Sequence, residues 1–239
     1  MHRINEFDQP IGVPLDGWIP PPLPKHEPLE GTYCRLLPLD AQRHTRPLYE
    51  AVSGEIDGGS WTYLPYGPFS SSEEYASWVA ASADSDDPLF FAIEDRARGA
   101  PAGIASYLRI VPSAGSIEVG HLYFSRALRR SAAATEAMYL LMDHAFAMGY
   151  RRYEWKCDSL NAPSRAAAER LGFQFEGLFR QAAVYKGRNR DTAWYSILDG
   201  EWEKLRAAFQ RWLATENFDA CGQQRTRLRD LTLEVRRAF

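Results

Sequence analysis

From Thr32 to about Leu213 the hydrophobic pattern alternates between short apolar runs and amphipathic stretches of helical period. "TYCRLLPL" predicts a strand, and "AQRHTRPLYEAVSG" and "SSEEYASWVAASA" predict helices. Three further strands are expected in "PLFFAIED", "PAGIASYLRIV" and "GSIEVGHLYFS", with turn residues between them. A helix follows from about Ala133 to Met148, then a strand "RRYEWKCD" and a helix "APSRAAAERL" stopped by Gly172. Two more strands, "FQFEGLFRQAAVY" and "DTAWYSIL", flank the turn "KGRNRD", and the helix "EWEKLRAAFQRWL" closes the region. Residues 1–31 differ. Their proline cluster "WIPPPLPKHEP" excludes a helix or a central strand and predicts a segment wrapped over the surface, anchored by Phe7, Ile11 and Trp18. Residues 214–239 form a tail with one short, arginine-faced helical pattern in "RTRLRDLTLEVRRAF".

Composition narrows the class. A hydrophobic fraction of 45% and a charged fraction of 25% are those of an ordinary globular protein. The net charge of -3 argues against a dedicated nucleic-acid binder. No apolar run has the length of a membrane span. Cys34, Cys157 and Cys221 are odd in number and far apart, which reads as reduced thiols and a cytoplasmic setting. The five histidines show no metal-binding spacing. GxGxxG, GxxxxGK[ST] and GxSxG are all absent.

One stretch carries candidate chemistry. In "FSRALRRSAAATEAMYLLMDHAFAMG" an arginine pair meets four small residues and then a helix start. Free N–H groups at a helix N-terminus attract anions, small side chains let a phosphate come close, and Arg129 and Arg130 can pair with it. The plainer alternative is a helix-favouring alanine run beside solvated arginines.

The stretch that follows tips the balance. Arg129 and Ala134 fit the ends of a [QR]-x-x-G-x-[GA] motif opening a helix, with Ala132 in place of glycine. Asn161, Ser164, Gly172 and Phe173 fit a later N-x-x-[AS]-x-x-x-[YF]-x-x-x-G-F motif, with Ala168 at its aromatic position. Together these resemble the GNAT superfamily of N-acetyltransferases, in its ribosomal-protein-type branch. "WTYLPYGPF", "YEWKCDSLNAPS" and "GRNRDTAWYSI" are similar to a bacterial subgroup of it. The resemblance covers residues 32–213 and implies a mixed α/β (α+β) fold, a mostly antiparallel central sheet flanked by helices. It implies acetyl-CoA as co-substrate, no metal, an amine acceptor, and no nucleic-acid or membrane partner; a homodimer is left open. The coenzyme would be held by Arg129, Arg130 and the N–H groups from Ser131 through Ala132, Ala133 and Ala134 to Thr135. Asn161 and Ser164 would face it, and the strand "IEVGHLYF" would bulge so that the N–H groups of Leu122, Tyr123 and Phe124 polarise the thioester carbonyl.

The missing aromatic at Ala168 removes the expected tyrosine acid, and leaves Ser164 as the candidate donor to the departing sulfur. Glu118 is the candidate base, since a strand carboxylate between Ile117 and Val119 is partly buried and so has a raised pKa. The alternative for Glu118 is a salt bridge, and for Asn161 a helix N-cap. His121 competes as base, but strand alternation puts it on the opposite face from Glu118 unless a bulge intervenes. Trp61, Tyr63, Tyr66 and Phe69 in "GGSWTYLPYGPF" are candidates for an acceptor wall, or for a loop that caps the core. Tyr195 on its strand and the turn residues Arg188 and Arg190 are candidates for contact with an acidic acceptor group, or for a solvated hairpin tip. Three functions remain open: acetyl transfer to a small-molecule amine, acetyl transfer to a protein N-terminus or lysine, and a non-catalytic acyl-CoA-binding module.

Overall fold

The computed structural model describes residues 3–53 and 58–237. A two-stranded hairpin, β1 (Arg3–Ile4) and β2 (Pro10–Ile11), precedes the main sheet. The sheet contains β3 (Leu29–Glu30), β4 (Cys34–Pro38), β5 (Leu89–Asp95), β6 (Ala100–Val111), β7 (Ser116–Phe124), β8 (Arg152–Asp158), β9 (Gln174–Tyr185) and β10 (Arg188–Leu198). Its order is β3-β4-β5-β6-β7-β8-β10-β9. Every pairing is antiparallel except β7 with β8. The helices are α1 (Ala41–Ser53), α2 (Ser72–Ala83), α3 (Ala132–Ala147), α4 (Ala162–Arg170), α5 (Asp199–Leu213) and α6 (Leu228–Arg236). The stop expected for α1 at Gly54 lies outside the described residues.

Strand alternation sends side chains to two cores. On one face Phe91, Tyr107, Ile117, Val119 and Tyr153 pack with Met138 and Leu141 of α3 and Phe209 of α5. On the other, Phe90 and Ile104 pack with Leu48 of α1 and Tyr75 and Val79 of α2. Helix caps follow the residue chemistry. Ser71 accepts from the Glu74 N–H at α2, Ser131 from the Ala134 N–H at α3, and Asn161 from the Ser164 N–H at α4.

The N-terminal segment is anchored differently from the expectation. Phe7 is 71% exposed and Ile11 is exposed too, because the β1–β2 hairpin stands off the body. The contacts lie further along, where Tyr150 Oη donates to the Pro22 carbonyl at 3.0 Å and Trp18 packs near Gly115. Glu136 then fixes the entry to β4, its carboxylate accepting from the N–H groups of Thr32, Tyr33 and Cys34. Residues 214–237 do not trail away. Leu228 and Leu231 of α6 are buried in the main core, and the Thr232 hydroxyl donates to the carbonyl of Arg170 at the end of α4.

Candidate active site

Two irregularities shape the site. The parallel pairing of β7 and β8 runs from Ser116–Arg152 to Val119–Trp155 and then stops, while β7 continues beside β6 and β8 beside β10. The two strands therefore diverge and leave a wedge in the sheet. Just past that point β7 bulges. Ser106 pairs with Gly120 but Ile104 with Tyr123, so His121 and Leu122 together oppose Ala105. His121 sits at φ 52°. The extra residue inverts the alternation: Val119 belongs to the α3 core, whereas Tyr123 belongs to the α1/α2 core.

A cavity of about 920 Å³ passes through this wedge. On the α1/α2 face it is lined by Glu118, His121, Arg109, Lys156 and Tyr63, and on the α3/α4 face by Trp155, Cys157, Asn161 and Ser164. The β9–β10 hairpin contributes Tyr185 and Arg190, and the β7–α3 loop contributes Arg126 and Arg129.

Glu118 is 2% exposed. Its Oε2 lies 2.9 Å from Lys156 Nζ and 3.1 Å from Arg109 Nε. These are ionic contacts rather than aligned hydrogen bonds. Lys156 is shared, with Glu154 Oε2 at 2.7 Å and the face of Trp194 at 3.7 Å. Burial raises the Glu118 pKa above the usual carboxylate range, and the two cations only partly offset it. Glu154 is pushed up by burial but pulled further down by Lys156 and Arg152, so its pKa ends below the ordinary value. The base candidate and the salt-bridge alternative thus coincide in one group.

The bulge brings His121 onto the face of Glu118. Its ring stacks on Tyr66, with Nδ1 hydrogen-bonded to the Tyr66 hydroxyl at 3.1 Å. Burial, with Arg109 adding to it, lowers the His121 pKa to about 4, so the ring is neutral at pH 7. Of the three residues expected to offer backbone donors, Leu122 lines the cavity; Tyr123 is buried against Trp61, and the Phe124 carbonyl accepts from Arg129 Nε at 2.7 Å.

On the other face Trp155 Nε1 donates to Ser164 Oγ at 3.0 Å, which leaves the serine proton to be given elsewhere. Cys157 lies beside it with its pKa raised by burial, so it is a thiol, not a thiolate. Asn161 lines the cavity while its Oδ1 caps α4.

The phosphate loop departs in detail from the reading above. The left-handed position is Arg130, at φ 61°, and Ala132 is the first residue of α3, so alanine there carries no backbone strain. Two of the five expected N–H donors are engaged within the loop, Ser131 with the Leu128 carbonyl at 3.3 Å and Ala134 with Ser131 Oγ at 3.0 Å. The side chains of Ala133, Ala134 and Thr135 are buried, Thr135 accepting from Arg170. Arg129 bridges to Ser60 Oγ at 2.8 Å, and Arg130 is exposed.

The aromatic loop is divided. Tyr63 lines the cavity, donating to the Leu160 carbonyl at 3.1 Å. Trp61 is instead buried, stacked on Tyr123 at 4.3 Å and edge-on to Phe69 at 5.2 Å; both belong to the α1/α2 core, and Tyr66 backs His121. The sequence pattern did not single out Arg109, Lys156, Arg126, Asp158 or Tyr185. A lysine at Lys156 amid the apolar residues of a strand was the available signal for one of them.

Comparison with known proteins decides the family. Residues 35–174 match the acetyltransferase (GNAT) domain. The chain belongs to the GNAT acetyltransferase family. A GCN5-related N-acetyltransferase from Brucella melitensis is 49% identical with a TM-score of 0.89, over 91% of this chain and 99% of that one. A probable GNAT-family acetyltransferase from Chromobacterium violaceum is 44% identical with a TM-score of 0.75, over 82% and 98%. An acetyl transferase from Salmonella typhimurium that modifies the N-terminal serine of ribosomal protein L7/L12 shares the fold, at 22% identity and TM-score 0.60 over 72% and 99%. No curated protein matches the sequence. The acetyltransferase has no helix among its described residues long and apolar enough to cross a membrane, and no cluster there that could hold a metal ion.

Proposed function

We propose that this GNAT enzyme transfers the acetyl group of acetyl-CoA directly to a primary amine of a small molecule, with both substrates bound at once. The observation that carries this reading is the through-sheet cavity, which has a buried carboxylate on one face and Ser164 on the other. The coenzyme fits the α3/α4 side, where Arg126 and Arg129 stand in the loop before α3 and Asn161 and Ser164 line the wall. The acceptor enters from the α1/α2 side. Its nitrogen attacks the thioester carbonyl carbon and the carbon–sulfur bond breaks. Glu118 takes the amine proton, the bulge N–H of Leu122 faces the carbonyl oxygen, and Ser164 supports the departing thiolate. Cys157, kept protonated by burial, is not a nucleophile here. Membership of the ribosomal-protein-type branch, suggested by the two motifs, and a cytoplasmic location are part of this proposal.

The test is a thiol-release screen of amines with acetyl-CoA, run on wild type and Glu118→Gln. The glutamine variant is expected to lose ~10²–10⁴-fold in turnover, the usual size of a general-base contribution, with acetyl-CoA affinity intact. Because the Glu118 pKa is raised, the acidic limb of the wild-type pH–rate profile should lie above the usual carboxylate range. Full turnover with an unaltered profile in the variant would make Glu118 structural.

A further inference from the structure

The backbone of β6 does something unusual at Arg109. Leu108 pairs directly with Glu118, so on a regular strand Arg109 would point to the opposite face of the sheet from that carboxylate. It does not. One extra residue is accommodated between the pairings Leu108–Glu118 and Val111–Ser116, and Arg109 adopts φ 45°, a left-handed conformation costly for a non-glycine residue. Asp87 holds that conformation. Its Oδ1 accepts from the Arg109 N–H at 2.8 Å and its Oδ2 from the Ile110 N–H at 3.1 Å. The result is to turn the guanidinium back to the Glu118 face and into the cavity.

Glu118 already has Lys156 at 2.9 Å as a partner whose side chain is largely buried. A second cation held by a strained backbone is more than its charge requires. The two cations also differ in exposure: the side chain of Lys156 is 6% exposed and that of Arg109 is 54% exposed. Arg109 meets Glu118 through Nε, at 3.1 Å from Oε2. A half-exposed guanidinium that uses Nε on Glu118 and lines the cavity has two further nitrogens, Nη1 and Nη2, to offer a ligand there. A planar fork of N–H donors in that position matches a carboxylate. Arg190 lines the same cavity, with Nε donating to Thr192 Oγ1 and its guanidinium 5.8 Å from the Tyr185 ring.

We infer that the acceptor is a small amino-carboxylate, its amine placed at Glu118 and its carboxylate on the terminal nitrogens of Arg109. This rests on the reading of the cavity as the site of acetyl transfer and adds to it a specificity residue and an acceptor class. Polycationic amines are disfavoured at the same position, because they would meet Arg109 and Lys156 with no anion to offer. The carboxylate must lie within a few bonds of the amine, since Arg109 Nε and Lys156 Nζ share one oxygen of Glu118.

The test uses matched pairs: glycine, β-alanine and glutamate, each against its α-carboxamide (for β-alanine, its amide), with spermidine as the polycation. Binding to the coenzyme A-loaded protein is measured by calorimetry, and acetyl transfer by thiol release. Acids are expected to exceed their amides at least tenfold in affinity and in kcat/KM, and spermidine to be a poor acceptor. Arg109→Gln should bring acids down to the level of amides without changing acetyl-CoA affinity. Arg109→Lys keeps the charge and the ion pair, loses the fork, and should retain part of the preference; it serves as the probe if the glutamine variant does not fold. An acid-to-amide ratio near one in wild type, an unaltered ratio in both variants, failure of every acid to bind, or preferred use of spermidine overturns the inference. Failure of wild type to bind acetyl-CoA at all would instead overturn the transferase reading beneath it.

Discussion

Lys156 shows how one side chain can tune another. It lies between Glu118 and Glu154, both within 2.9 Å, with Trp194 over it. Replacing it by methionine leaves two buried carboxylates facing each other, Glu118 still paired with Arg109 and Glu154 with Arg152. Loss of the cation should raise the Glu118 pKa further, so the acidic limb of the pH–rate profile in Lys156→Met moves to higher pH. The sign is the same for stability. A carboxylate whose folded-state pKa lies above the unfolded value contributes stability at low pH, and that contribution is lost as pH rises through the folded value. The variant should therefore lose most stability at neutral pH, by about 3–5 kcal/mol as for other broken buried pairs, and least in mild acid. A limb that stays in place or moves to lower pH would remove Lys156 from any role in setting the base. The strand carboxylate at Glu118 was readable from sequence because it interrupts an apolar run. Its partners were not, because ion pairs across a sheet depend on register, and register is not written in any single strand.

At the scale of elements, the order of strands and helices was legible because each amphipathic run keeps one period. The bulge in β7 was expected from the family resemblance alone, and its position was not readable, because the left-handed residue is His121 and not the neighbouring Gly120. That single extra residue moves His121 to the face of Glu118 and Tyr123 into the α1/α2 core, where it stacks on Trp61. It is also why the aromatic loop reads as a pocket wall in sequence and is largely core in the fold. The β9–β10 hairpin is a second element whose role depends on docking. Its turn is tied to the 59–63 segment by Lys186 Nζ donating to the Trp61 carbonyl at 2.7 Å and Arg188 Nη2 to the Thr62 carbonyl at 2.8 Å. These bonds close the cavity beside Tyr63 and Tyr185. The double variant Lys186→Ala, Arg188→Ala should raise the KM for the acceptor severalfold and leave that for acetyl-CoA nearly unchanged, because the side proposed for the coenzyme is built by α3 and α4. The hairpin tip is solvent-accessible, so the melting temperature should move little. Equal rises in both constants would mean that the hairpin supports the whole cavity and not its acceptor side.

For the whole molecule, the two ends of the chain differ in what they hold together. The first residues expose Phe7, Val13 and Ile19, and their removal uncovers little of the core. The last ones are interwoven with the body. Trp212 Nε1 donates to Gln224 Oε1 at 2.8 Å, and Asn217 donates to the Trp212 carbonyl at 2.9 Å while accepting from the Thr226 N–H at 2.9 Å. Arg236 donates to the carbonyl of Gly172, just past α4, and pairs with Glu201 of α5 at 2.6 Å. Leu228 and Leu231 are nearly fully buried. At about 1.5–3 kcal/mol for each buried leucine, their loss alone is a large part of a typical domain stability of about 5–15 kcal/mol. The periodicity in "RTRLRDLTLEVRRAF" revealed a helix but not its partner, since its apolar stripe is short and arginines surround it. Truncation after Leu213 should therefore lower the melting temperature by ten degrees or more. It should also weaken acetyl-CoA binding, because α6 braces the C-terminal end of α4 and the N-terminal end of α4 carries Asn161 and Ser164. Removal of residues 1–15 should change both by far less. A truncated chain that melts within two degrees of the full-length protein and binds acetyl-CoA equally well would show that α6 packs against the acetyltransferase fold without supporting it.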